Sequence, residues 1–130
     1  MKLLLDTHVF LRIAVDQKDF PKHVARLIRK ESSEILVSVV TPWEIAIKSA
    51  QFEKHKLPNT SQVNAAIQAM GARILPITMT HTDFLYTLPA HHADPFDRML
   101  ISQALAEGCT MISSDQRFPL YVTAGLQLLW

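Results

Sequence analysis

Short apolar runs, each followed by a segment of helical pattern, limit the fold of this chain more than any other feature of its sequence. Leu3, Leu4 and Leu5 follow Lys2 without interruption, the pattern of a strand covered on both faces. Residues 35–39 are rich in β-branched side chains and read as a second buried strand. Residues 74–77 make a third, and Pro76 within it predicts an edge position or an early end. Residues 110–113 and 126–130 supply two more.

Helical patterns fill the intervals. One begins near Val9. Another opens at Pro21, read as the first turn after Asp19 or Phe20, with Val24, Leu27 and Ile28 on one side and Lys22, Arg26, Arg29 and Lys30 largely on the other. A polar link over residues 54–60 precedes Val63, Ala66, Ile67 and Met70, which repeat at helical spacing until Gly71. Residues 80–88 form a short helix stopped by Pro89. Strands alternating with helices imply βαβ units, and hence a small, mostly parallel sheet of four or five strands with helices on both faces. The chain's 130 residues are expected to form one domain over 1–130.

Two helix starts share one device. Thr41-Pro42-Trp43-Glu44 and Asp94-Pro95-Phe96-Asp97 each place a capping side chain, a proline and then an acid. Asp6 and Asp115 stand just beyond predicted strands. In open parallel sheets the usable crevice lies outside the carboxyl ends of the strands, where helix N-termini also arrive. Asp6, Glu44, Asp94, Asp97 and Asp115 therefore converge by topology, although they are far apart in the chain.

Each of these acids also has a plain structural role to weigh. Glu44 completes a capping box at Thr41, Asp94 caps its helix, Asp97 favours a helix dipole, and Asp6 and Asp115 serve as turn acids. Asp16, Asp19 and Asp83 read as surface residues. Gathering several carboxylates changes the balance, because two like charges 4 Å apart repel by about 4 kcal/mol at an effective dielectric near 20. Protons, basic side chains or a cation must answer that repulsion. Lys48, Arg98 and Arg117 are the bases nearest in sequence. Oxygen donors without cysteine point to a hard ion, Mg²⁺ or Mn²⁺, and such ions are commonly shared with substrate phosphate. Hydrolysis of a phosphodiester by in-line attack of an activated water is the natural reaction, with one ion or two.

Other features bound the reading. Three glycines provide no phosphate-cradling loop, and no nucleophile elbow occurs. Thirteen Lys and Arg against twelve Asp and Glu give a net charge of +1, which by itself identifies no polyanionic partner. The single Cys109 excludes an intramolecular disulfide, and no apolar run approaches the ~20 residues of a membrane helix. A cytoplasmic setting is expected. His91 and His92, near Asp94, suggest metal ligands, but a polar loop start explains them equally well, and contact with substrate phosphate is their better functional role. His8, Thr7, Ser113 and Ser114 are divided between lining the cleft and local structural bonds. Trp43 and Trp130 read as packing residues, and the basic face from Lys22 to Lys30 as solvated or as a nucleic-acid contact.

The stretches LLLDTHVFL at 3–11, SVVTPWEIAIKS at 38–49, LPAHHADPFDRMLISQALAEG at 88–108 and MISSD at 111–115 resemble the PIN-domain ribonucleases. The nearest resemblance is to VapC-like toxins of bacterial toxin–antitoxin pairs, in the branch with a DPFDR segment. It implies a PIN-like three-layer α/β/α sandwich and an Mg²⁺- or Mn²⁺-dependent endoribonuclease. Asp6, Glu44 and Asp97 resemble the family's first three metal-binding acids, and Asp115 its more variable fourth. Ser113 occupies the hydroxyl position before that acid, and Asp94 stays a helix cap. The resemblance further implies a cognate antitoxin, an RNA substrate and a homodimer. It implies no membrane association, and DNA contact only through the antitoxin. Arg12 replaces a tryptophan found in many relatives, a change expected to affect packing or partner contact. The readings weighed against this one are a structure-selective DNA nuclease of the same fold and a non-catalytic RNA- or antitoxin-binding module. A phosphatase with paired aspartates is disfavoured, because Thr7-His8 follows Asp6.

Overall fold

In the computed structural model, residues 1–15, 20–51 and 57–130 are described, and the apolar runs among them become five parallel strands. These are β1 (Lys2–Leu5), β2 (Glu34–Ser38), β3 (Arg73–Leu75), β4 (Thr110–Ile112) and β5 (Gln127–Leu129). Their spatial order is β3-β2-β1-β4-β5, so β1 is central and β3 lies at an edge, ending before Pro76 as the missing donor requires. Leu5 pairs with Val37 on one side and Ile112 on the other. The carboxyl ends of β2, β1 and β4 therefore lie side by side.

The helices are α1 (Thr7–Ala14), α2 (Lys22–Ile28), α3 (Val40–Gln51), α4 (Thr60–Ala69), α5 (Met79–Thr87) and α6 (Pro95–Glu107), with a 3₁₀ helix at Phe118–Ala124. Alternate strand side chains explain why both faces need cover. Leu3, Leu5, Ile35, Val37 and Ile112 pack with Val9 and Phe10 of α1, Val24 of α2, and Val63 and Ile67 of α4. Leu4, Leu36 and Met111 pack with Leu100, Ile101 and Ala104 of α6 and with Phe118 and Tyr121. A two-sided core of this kind is an α/β/α sandwich, and all five strands are parallel where a mostly parallel sheet was expected.

Several local expectations shift in detail. Asp94 caps α6, accepting from the amides of Phe96 and Asp97, and Gly108 ends the helix at a positive φ of 63°. Pro21 precedes α2 as its cap residue instead of entering the first turn. Thr41 is not a cap. Helix α3 starts two residues earlier than expected, at Val40, whose amide donates to Ser38 Oγ at 3.0 Å. Pro42 still falls in the first turn, where its missing N–H has no partner to lose. Glu44 thus lies beyond the capping-box position, on the buried face shared with Val40 and Thr41.

Thr7 is the first residue of α1, with Asp6 as the cap, and its hydroxyl meets that of Thr41 at 3.2 Å. Trp43, expected to pack, is 52% exposed, with its ring edge-on to Phe96 at 4.8 Å. Trp130 does pack. Its ring meets Phe20 at 5.2 Å, and the Arg12 guanidinium lies 5.2 Å from the Trp130 ring centroid, so Arg12 serves packing as expected. Asp83 is exposed, whereas Asp16, Asp19 and much of the 54–60 link lie outside the described residues. The short 3₁₀ helix has no counterpart in the sequence reading.

Leu4, fully enclosed on the central strand, should dominate stability. Leu4→Ala is expected to cost roughly 2–5 kcal/mol in urea unfolding, against less than about 0.5 kcal/mol for Tyr86→Ala at an exposed position.

Candidate functional site

The junction between β1 and α1 sets the first carboxylate. Asp6 follows the last residue of the central strand, and its amide donates to Ile112 of the neighbouring strand at 3.1 Å. Its Oδ1 accepts from the amide of His8 at 2.7 Å, and its Oδ2 accepts the hydroxyl hydrogen of Ser113. Ser113 Oγ in turn accepts from the amide of Asp115 at 3.1 Å. One buried hydroxyl therefore couples the first acid to the loop carrying the last. Ser114 is exposed and makes no such link.

Glu44 reaches the same region from the inward face of α3 and is 1% exposed. Lys48, one turn on, hydrogen-bonds Glu44 Oε2, while Oε1 is buried without a hydrogen-bond partner. Burial works against the Lys48 charge, but the bond to Glu44 and the nearby Asp94 and Asp97 charges outweigh it and raise its pKa. Asp115 pairs with Arg117 at 3.1 Å. Burial pushes the Asp115 carboxyl up, but the bonds and charge of Arg117 prevail and hold it below its ordinary range. Arg98, adjacent to Asp97 in sequence, does not serve the acids. Its guanidinium donates to the carbonyls of Pro89 at 2.9 Å and Leu88 at 3.3 Å, and reaches Tyr121 Oη at 3.4 Å.

Asp97 is the group these arrangements leave out. It is 7% exposed, in the first turn of α6, and among the described residues no Lys or Arg forms an ion pair with it. Burial, and then the charges of Asp94, Asp6, Glu44 and Asp115, push its pKa up to about 7.

Direct proximity selects a narrower set. One ligand atom each from His92, Asp97 and Asp115 lies within 4.8 Å of the others, while Asp6 and Glu44 fall outside that triplet. In the sequence His92 reads as a loop histidine, a metal ligand or a phosphate contact. It is 4% exposed, and its Nε2 lies 2.8 Å from Asp97 Oδ2. His91 is exposed and meets the Tyr121 ring at 5.2 Å. His8 is exposed beside Asp6, whose carboxylate raises its pKa against a smaller opposing effect of burial. The donor chemistry fits a hard divalent ion: several carboxylates, one bare buried oxygen on Glu44, and an acid at position 97 that no described Lys or Arg pairs with.

The family model of the PIN domain matches residues 3–122. The chain belongs to the PIN domain family. No curated protein sequence matches this PIN domain. Its fold is similar to the solved structure of VapBC2 from Rickettsia felis bound to a promoter DNA fragment, at 16% identity and TM-score 0.74, covering 100% of this chain and 99% of that one. It is also similar to VapBC-1 from nontypeable Haemophilus influenzae, at 19% identity and TM-score 0.65, covering 99% and 97%. VapBC-5 from Mycobacterium tuberculosis, of the VapBC family of toxin–antitoxin systems, gives 18% identity and TM-score 0.65, covering 98% and 97%.

The raised Asp97 pKa gives this PIN domain a signed pH dependence. Its folded-state value lies above its unfolded one, so the contribution of Asp97 to metal-free stability is fully present below about pH 4 and is lost as pH rises through 7, on the order of 4 kcal/mol. The raised pKa of His8 acts in the same direction. The lowered pKa of Asp115 acts in the opposite sense, at lower pH. The thermal midpoint of EDTA-treated protein should therefore be lower at pH 8 than at pH 5. Millimolar Mg²⁺ should raise that midpoint more at pH 8, and Asp97→Asn should flatten the pH response.

Proposed function

We propose that this PIN domain is a metal-dependent endoribonuclease that acts as the toxin of a toxin–antitoxin pair. One observation carries the reading: the charges of Asp6, Glu44 and Asp115 converge on a buried Asp97 that no described Lys or Arg pairs with. In this reading Asp6 and Asp97 hold the ion, and Glu44 and Asp115 are further ligands or groups that orient water. A bound Mg²⁺ or Mn²⁺ supplies Lewis acidity, lowering the pKa of water and neutralising charge that builds on phosphoryl oxygens.

The chain's own groups prepare the pocket. Ser113 fixes one oxygen of Asp6 and the backbone at Asp115. Lys48 occupies one oxygen of Glu44 and leaves the other free to bind. Arg117 keeps Asp115 ionised and stands exposed at the rim, where an RNA phosphate would meet it. Lys22, Arg26, Arg29 and Lys30 line one hollow, with no acidic partner among the described residues, which supports contact with a polyanion.

The likeness to VapBC structures supports a cognate antitoxin as partner. An apolar hollow of about 410 Å³ beside Pro42, Val63, Ile67 and Ile74 supports it too. A homodimer and a cytoplasmic setting complete the proposal. Among the described residues no helix is long and apolar enough to cross a membrane.

Incubating the purified chain with total RNA should give cut ends with Mg²⁺ or Mn²⁺ and none with EDTA. Asp6→Asn and Asp97→Asn should each lower cleavage by more than about a hundredfold, beyond the range for losing a group that only hydrogen-bonds a metal ligand, with the circular dichroism spectrum retained. Full activity in either variant would overturn the assignment. Duplex and flapped DNA digested in parallel should remain intact.

A further inference from the structure

His92 lies at the metal pocket, but its hydrogen bonding argues against ligation through nitrogen. The amide of Asp94 donates to His92 Nδ1 at 3.1 Å. A nitrogen that accepts a hydrogen bond carries no proton, so in the neutral ring the proton lies on Nε2. That nitrogen has no lone pair to offer a cation. It is nevertheless the one nearest the acids, 2.8 Å from Asp97 Oδ2 and off the line of an aligned hydrogen bond.

Everything else about His92 is held in place. Arg98 Nη1 approaches its carbonyl at 3.4 Å and donates to the Pro89 carbonyl at 2.9 Å, pinning the loop on both sides. The imidazole also faces the buried ring of Phe118 at 6.2 Å. A nearly enclosed N–H without an aligned acceptor is costly to keep unless it is used. Such bonds are often poorly aligned before ligands arrive and tighten afterwards.

We propose that His92 is a positioning residue of the metal pocket: a neutral imidazole whose Nε2 hydrogen holds Asp97 Oδ2, leaving Oδ1 for the cation, and not itself a ligand. The inference rests on the metal-centre reading above. The bond to Asp94 sets the tautomer, and the cap that Asp94 provides sets the first turn of α6, so a single short loop fixes both Asp97 and the donor that orients it.

Two substitutions separate this role from a structural one. In His92→Gln the amide nitrogen stands near the Nε2 position and the Nδ1 acceptor is lost. His92→Asn does the reverse, keeping an acceptor for the Asp94 amide and leaving nothing at Nε2. The probe is Mn²⁺ alone, titrated into the full chain by calorimetry, with pulsed electron paramagnetic resonance of the bound ion. His92→Asn should weaken Mn²⁺ binding roughly ten- to hundredfold, and His92→Gln should stay within about threefold of wild type. The wild-type spectrum should show no directly coordinated nitrogen.

The opposite order of affinities would reduce His92 to a loop residue and overturn the proposal. Nitrogen coupling in the wild-type spectrum would make it a ligand, with the same consequence, and needs no variant to fold. Wild-type protein that binds no Mn²⁺ would remove the metal centre itself, and this inference with it.

Discussion

Like-charge crowding at the carboxyl end of β2, β1 and β4 is the constraint on which the rest of the site depends. Parallel strands put every strand end on the same side, and the chain uses three neighbouring ends to bring acids together. Lys48 takes the load from Glu44, Arg117 takes it from Asp115, and the Ser113 hydroxyl with the His8 amide takes it from Asp6. Asp97 receives no Lys or Arg among the described residues, only the His92 ring at 2.8 Å, and its carboxyl is pushed furthest from its ordinary range. Two of the acids thus have a base, Asp6 has neutral donors, and Asp97 keeps the largest uncompensated repulsion.

The framework that holds these groups is built from ordinary parts used twice. Asp6 caps α1 and Asp94 caps α6, so two helix starts are fixed by side chains that also contribute charge to the pocket. Ser38 accepts from the Val40 amide and donates to Gln103 of α6, tying the end of β2 and the start of α3 to the helix bearing Asp97. Thr7 and Thr41 join the starts of α1 and α3. These bonds lie in the interior, where an unmet polar group costs about 1–3 kcal/mol, so they tie the placement of the acids to the stability of the fold. The raised pKa of Asp97 follows from the same economy of space. Stability and function pull against each other at one carboxylate.

Arg98 shows how a charged residue next to the site can act without entering it. Sequence adjacency to Asp97 suggested a neutralising role, yet its guanidinium is spent on three carbonyls and on Tyr121. It ties the loop before α6 to the 3₁₀ helix at Phe118–Ala124. A guanidinium fork suits this work, because its several fixed donors can satisfy carbonyls that diverge in direction.

The alternation of apolar runs with helical patterns determined the layered fold by itself, because a strand covered on both faces leaves an uninterrupted apolar signature that no solvent-facing strand can carry. The early end of β3 was equally local, set by the missing N–H of Pro76. Asp94 as a cap followed from its own tetrapeptide. Tertiary structure alone decided which groups share the pocket. Glu44 carries a capping-box pattern, yet the helix begins two residues early, because Ser38 captures the Val40 amide. His92 enters through a turn of the backbone that no periodicity encodes, and Arg98 finds its partners across elements, whereas Lys48 meets Glu44 one turn away on the same helix. Propensity and pattern act between near neighbours along the chain. Coulomb repulsion and hydrogen-bond satisfaction act between neighbours in space, and the sheet had to form before those neighbours existed.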